Sequence, residues 1–107
     1  MGPSAPPVAL PRDATLIELR ADTLIFETRK CLLPGTPVAL TLVMEGKPLP
    51  IVGVAEACLV VARDCGAYLF HSRLSLAAVP EADRTLINLF IARGRGAPDL
   101  APPPPPR

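Results

Sequence analysis

Few side chains in this 107-residue chain are equipped for chemistry. There is one histidine, His71, and one tyrosine, Tyr68. The serines are Ser4, Ser72 and Ser75, and the cysteines are Cys31, Cys58 and Cys65. None falls in a Gly-x-Ser-x-Gly, Walker A or His-Glu-x-x-His spacing, the patterns that present a nucleophile, cradle a phosphate or clamp a zinc ion. If the chain reverses at Asp64-Cys65, Cys58 lies opposite His71, and a thiol beside an imidazole can act as nucleophile and base. No oxyanion donor or orienting third group accompanies the pair. The expectation is therefore a small buried cysteine, a strand-surface histidine and no catalytic residue. Gly94-Arg95-Gly96 has the composition to touch a phosphate, but it follows a helix, where the dipole disfavours an anion. The odd cysteine count and the lack of Cys-x-x-Cys speak against a zinc site, a disulfide framework or any other metal centre, and for a reduced, cytosolic setting.

These residues must be positioned by short strands. Ala14–Arg20 and Leu24–Thr28 are short β-branched runs joined by Ala21-Asp22-Thr23. Leu33-Pro34-Gly35-Thr36 reads as a turn. Val38, Leu40, Leu42 and Met44 then alternate with Ala39, Thr41 and Val43, a strand with one strongly apolar face. Glu45-Gly46-Lys47-Pro48 reads as a hairpin turn. A long strand runs from Ile51 to Ala62, with Gly53, Ala55 and Ala57 allowing close approach on one face. After Arg63-Asp64-Cys65-Gly66, Tyr68, Phe70, Ser72 and Leu74 alternate through a last strand.

Pro80 suits a first helical turn, with Glu81 and Asp83 at the positive end of the dipole. Ala82, Leu86, Ile87, Leu89, Phe90 and Ile91 form a broad apolar stripe, Arg84 falls opposite it, and Gly94 supplies a stop. The helix is expected over about 80–93, its stripe of Leu86, Ile87, Phe90 and Ile91 packed on strands that present Ala55 and Ala57. The fold expected is mainly β: a small five- to six-stranded antiparallel barrel with one C-terminal amphipathic helix.

The chain contains 15 prolines, and they are unevenly placed. Residues 1–11 and 98–107 are proline-rich and lack periodicity, so they read as disordered tails flanking a domain at 12–97. Removing 98–107 is expected to leave the fold intact. Pro102–Pro106 favours polyproline II, which with Arg107 could dock on an aromatic groove. The mean hydropathy of +0.36 excludes disorder throughout. No apolar run is long enough to span a bilayer, and Met1-Gly2-Pro3-Ser4 does not resemble a signal peptide or a myristoylation site. A net charge of +1 gives no electrostatic capture of nucleic acid or an anionic membrane. The aromatics Phe26, Tyr68, Phe70 and Phe90 are too few for a stacking face, because most read as core. Ile17, Leu19, Val43 and Leu69 fall on the less apolar faces of their strands and, if left exposed, would mark a partner or dimer surface.

The layout of Leu33-Pro34-Gly35-Thr36-Pro37-Val38-Ala39-Leu40, a long strand, Gly66-Ala67-Tyr68-Leu69-Phe70 and a closing helix resembles the PilZ family over roughly residues 14–93. The resemblance implies a bacterial cytoplasmic protein with a split β-barrel of six strands, and cyclic di-GMP as the family's ligand. That ligand is held by R-x-x-x-R, through phosphate contact and guanidinium stacking, and by D/N-x-S-x-x-G, which reads guanine edges. Neither motif is present. No two arginines are four apart, and the equivalent segment is Glu18-Leu19-Arg20-Ala21-Asp22-Thr23. No ligand residue carries over. The chain is more similar to family members that lack the ligand motifs and work through protein partners.

Three functions follow as expectations. The first is a non-enzymatic PilZ-like regulatory or interaction module with a protein partner or a homo-oligomer, no cofactor and no usual cyclic di-GMP site. The second is an atypical cyclic di-GMP receptor, whose only candidate anion-binding residues are Arg12, Arg20 and Arg29. The third is an unrelated small β-barrel subunit of an oligomer.

Overall fold

The computed structural model describes residues 6–94 and 98–104. The strands are β1 (Val8–Ala9), β2 (Thr15–Leu19), β3 (Thr23–Thr28), β4 (Pro37–Met44), β5 (Lys47–Asp64), β6 (Ala67–Ser75) and β7 (Asp99–Ala101), with helix α1 (Glu81–Arg93) before β7. The chain is mainly β, as its alternation requires. The sheet has seven strands rather than five or six, and it is mixed, because β1 pairs with β4 in parallel. Its order is β1-β4-β5-β6-β3-β2, and β7 also pairs with β4. β2 approaches β7, so the sheet curls toward a barrel without a hydrogen-bonded seam to close it.

β4 shows why the sequence folds this way. Val38, Leu40 and Leu42 are fully buried and Met44 nearly so. One edge of β4 pairs with β5 along its whole length. The other edge is shared: Val8 and Ala9 cover Val38 and Ala39, while Asp99–Ala101 cover Thr41–Val43. Thr41 Oγ1 donates to the Pro102 carbonyl at 3.1 Å and continues the pairing beyond β7.

This corrects the reading of both ends as tails. Leu10 and Pro98 are buried, Leu100 packs against the core, and Pro103 and Pro104 line a groove beside Pro80 and Pro50. The flanking prolines cannot extend a ladder, so they stop another chain from adding to this edge. Residues 1–5, 95–97 and 105–107 lie outside the described residues. The polyproline reading of Pro105, Pro106 and Arg107 and the Arg95-Gly96 part of the phosphate reading therefore fall there.

β5 is one strand with two partners. β4 pairs with Lys47–Val54, and β6 pairs from Val54 to Asp64. Pro48 and Pro50 lie where β6 has not begun, so their missing N–H groups cost no bond to it. Gly53 allows the crossing: a Cβ there would stand 3.1 Å from the Ser75 carbonyl oxygen and 3.3 Å from Leu74 Cβ. Irregularities at Glu56 and Val61 bend the outer half of β5.

The core joins Leu24, Phe26, Leu40, Leu42, Leu74 and Leu76 to Ile87 and Phe90 of the helix. α1 starts at Glu81 as Pro80 dictates and ends at Gly94, whose φ of 62° is left-handed. The buried stripe is narrower than expected. Ile87 and Phe90 are buried, whereas Leu86, Leu89 and Ile91 are exposed. The helix lies over one end of the sheet, beside Met44 and Leu49 at one flank and Leu16–Leu19 at the other, so only about one residue per turn faces inward. Arg84, three residues before Ile87, shares that inward side. It is half-buried, and its Nε has no hydrogen-bond partner, which corrects its placement on the opposite face. Among the described residues no helix is long and apolar enough to cross a membrane.

Candidate interaction surface

The outer half of β5 and the facing half of β6 form a hairpin arm whose tip, beyond the Thr28–Phe70 pair, extends past β3. Its turn is set by Cys65 at φ 49° and Gly66 at φ 82°. Two consecutive positive φ angles make a tight turn whose twist matches the flanking strands. This turn lies one residue later than the sequence reading placed it, and the irregularity at Val61 shifts the register again. Cys58 therefore faces Ser72, and His71 faces Leu59. The expected Cys58–His71 juxtaposition does not form.

Each partner is occupied elsewhere. His71 Nε2 lies 2.9 Å from Glu27 Oε2 on the neighbouring strand β3. The Ser72 hydroxyl donates to Cys58 Sγ at 3.6 Å. A hydrogen bond with Cys58 is the main cause that raises the Cys31 thiol above its ordinary value, with desolvation second. Cys31 is thereby held as the neutral thiol, the poorer nucleophile. Among the described residues no three His, Cys, Asp or Glu side chains cluster as metal ligands.

The three candidate arginines are not all brought together. Arg12 precedes Asp13, whose carboxylate accepts the Arg29 backbone N–H at 3.1 Å, so Arg12 and Arg29 share one end of the β2–β3 hairpin. Arg20 sits at the other end, beyond the five residues of β2, a separation of about 16 Å along the strand. Its guanidinium is paired with Glu18 at 3.0 Å. The groove beside Arg29 contains Asp13 and Glu27, two carboxylates that oppose binding of an anion.

The arm has the features of a docking surface. Leu59 is 67% exposed, Val60 60%, Val61 44% and Tyr68 51%. Val60 is paired with Phe70 and Arg63 with Tyr68. The two rings are neighbours, with centroids 6.4 Å apart, and the Arg63 guanidinium lies 5.8 Å from the Tyr68 ring centre. Val60 shares the face of its pair partner Phe70 and Leu59 projects from the opposite face, so exposed apolar groups flank the strand on both sides, a candidate interaction surface.

The backbone adds to this. The ladder with β4 ends at Val54, and the last bonds on that side of β5 join Ala55 to Gly35 and Thr36. From Ala57 outward, that edge of β5 has no strand partner among the described residues. Of the four residues proposed from sequence as a surface, only Ile17 is exposed; Leu19, Val43 and Leu69 are more deeply buried. Sequence reasoning missed Leu59, Val60 and Val61 because an unbroken apolar run normally marks a strand buried on both faces. Compared with protein-family models, curated proteins and solved structures, the chain matches none.

Proposed function

We propose that the protein is a non-enzymatic interaction module of PilZ-like, regulatory type that docks through the β5–β6 arm, in a bacterial cytoplasm. The observation that carries the reading is the run of exposed Leu59, Val60 and Val61 on a strand with an open edge, with the exposed Tyr68 on the neighbouring strand. The absence of the arginine-pair and guanine-reading motifs argues against cyclic di-GMP as a ligand. So does the separation of Arg20 from Arg12 and Arg29.

Two measurements test the reading. Calorimetric titration with cyclic di-GMP at micromolar concentration should give no saturable heat, and an isotherm lost on Arg20→Ala would oppose the reading. Leu59→Lys/Val60→Lys should keep the melting temperature within a few degrees, because both side chains are solvent-exposed. The same variant should lose the proteins that crosslink to the unaltered chain in native extract. An unchanged crosslinking pattern would place the docking surface elsewhere.

A further inference from the structure

We infer that the arm's occupant is a second copy of this chain, added edge to edge and antiparallel along Ala57–Ala62 of β5. The inference rests on reading the arm as the docking surface. Three observations favour a copy over a different partner.

The first is the edge itself. A bare strand edge offers alternating N–H and C=O groups, and an antiparallel copy related by a two-fold axis satisfies both sets at once. Natural sheets usually block such an edge with proline, lysine or a covering segment. β4 is covered in that way, by β1 and β7. Ala57–Ala62 (ACLVVA) contains neither proline nor charge.

The second is charge. The uncharged run is preceded by Glu56 and followed by Arg63. Antiparallel pairing sets the acidic start of one copy toward the basic end of the other. The net charge of +1 puts little repulsion between copies.

The third is area. The exposed parts of Leu59, Val60 and Val61, which flank the edge on both faces of β5, amount to on the order of 300 Å² per copy. Two copies bring on the order of 600 Å², well below the standard interface, so the association is weak and reversible.

Sedimentation equilibrium on the full chain, from about 1 to 200 μM, tests the inference. The unaltered chain should pass from monomer to dimer. Leu59→Lys/Val60→Lys should weaken the dimer at least tenfold, whereas Leu86→Lys, on the exposed face of α1, should leave it unchanged. A dimer that survives the double substitution, or one that Leu86→Lys abolishes, overturns the inference. A chain that stays monomeric at the highest concentration overturns it as well. If such a monomer still loses its crosslinked proteins on the double substitution, the arm binds a different partner and only the self-pairing is wrong. If the crosslinks also persist, the docking role of the arm fails with it.

Discussion

Two stretches of strand edge in this sheet, one on β4 and one on the part of β5 that runs beyond β4, are treated in opposite ways. On β4, two short strands from the chain ends cover the ladder, and prolines at 6, 7, 11, 98 and 102–104 flank them. On the outer part of β5, no strand pairs with that side among the described residues, and apolar side chains stand in water. An unpaired backbone edge beside exposed apolar groups is an association hazard unless it has a use. The covered edge belongs to stability, and the bare edge is the one proposed for recognition. One substitution should therefore have unequal consequences in the two places.

The largest effect is expected at Leu42, which is fully buried and paired with both Leu49 and Leu100. Leu42→Ala should cost about 3–5 kcal/mol, a large part of the total stability of so small a domain. A chemical denaturation curve measures it. Deleting 98–107 comes next. It removes β7, the buried Pro98 and the Thr41–Pro102 bond, at a cost of about 2–4 kcal/mol. The melting temperature should fall by roughly 10 °C or more. An unchanged melt would mean that the covering of β4 contributes nothing, and the contrast between the edges would collapse.

Smaller effects sharpen the other side of the comparison. Glu27→Gln weakens the half-buried contact to His71 at the base of the arm and should cost no more than about 1 kcal/mol. Leu59→Ala should change stability by less than about 0.5 kcal/mol, because the side chain is mostly in water. Cys58→Ala removes the hydrogen bond that raises the Cys31 thiol. Cys31 should then be alkylated faster at mildly alkaline pH, as a larger share becomes thiolate. An unchanged rate would show that Cys58 does not control it.

Much of the fold was legible in the residues. The alternation of Val38, Leu40, Leu42 and Met44, the turns at Gly35 and Gly46, and the Pro80-to-Gly94 limits of the helix all appear where their chemistry requires. The terminal strands were not legible. Strands of two and three residues carry no periodicity, and their stability comes from β4, not from their own sequence. The helix stripe was read too broadly, since spacing shows which residues could face inward but not how much of the helix is covered. Leu86 and Ile91 stay outside because α1 spans only one end of the sheet. The candidate site was obscured for a related reason. Leu59-Val60-Val61 reads as core, and only the end of the β4 ladder at Val54 exposes it. The shifted turn was hidden as well, because a cysteine at positive φ is an uncommon choice.

Residue-resolved amide hydrogen exchange tests the contrast between the edges most directly. In dilute solution, the amides of β4 that face β1 and β7 should be protected, while the outward amides of Ala57–Ala62 exchange freely. On raising the concentration to about 200 μM, the β5 amides should become protected and those of β4 should not change. Protection of Ala57–Ala62 already complete in dilute solution would contradict the account, because that edge would then be satisfied within a single chain.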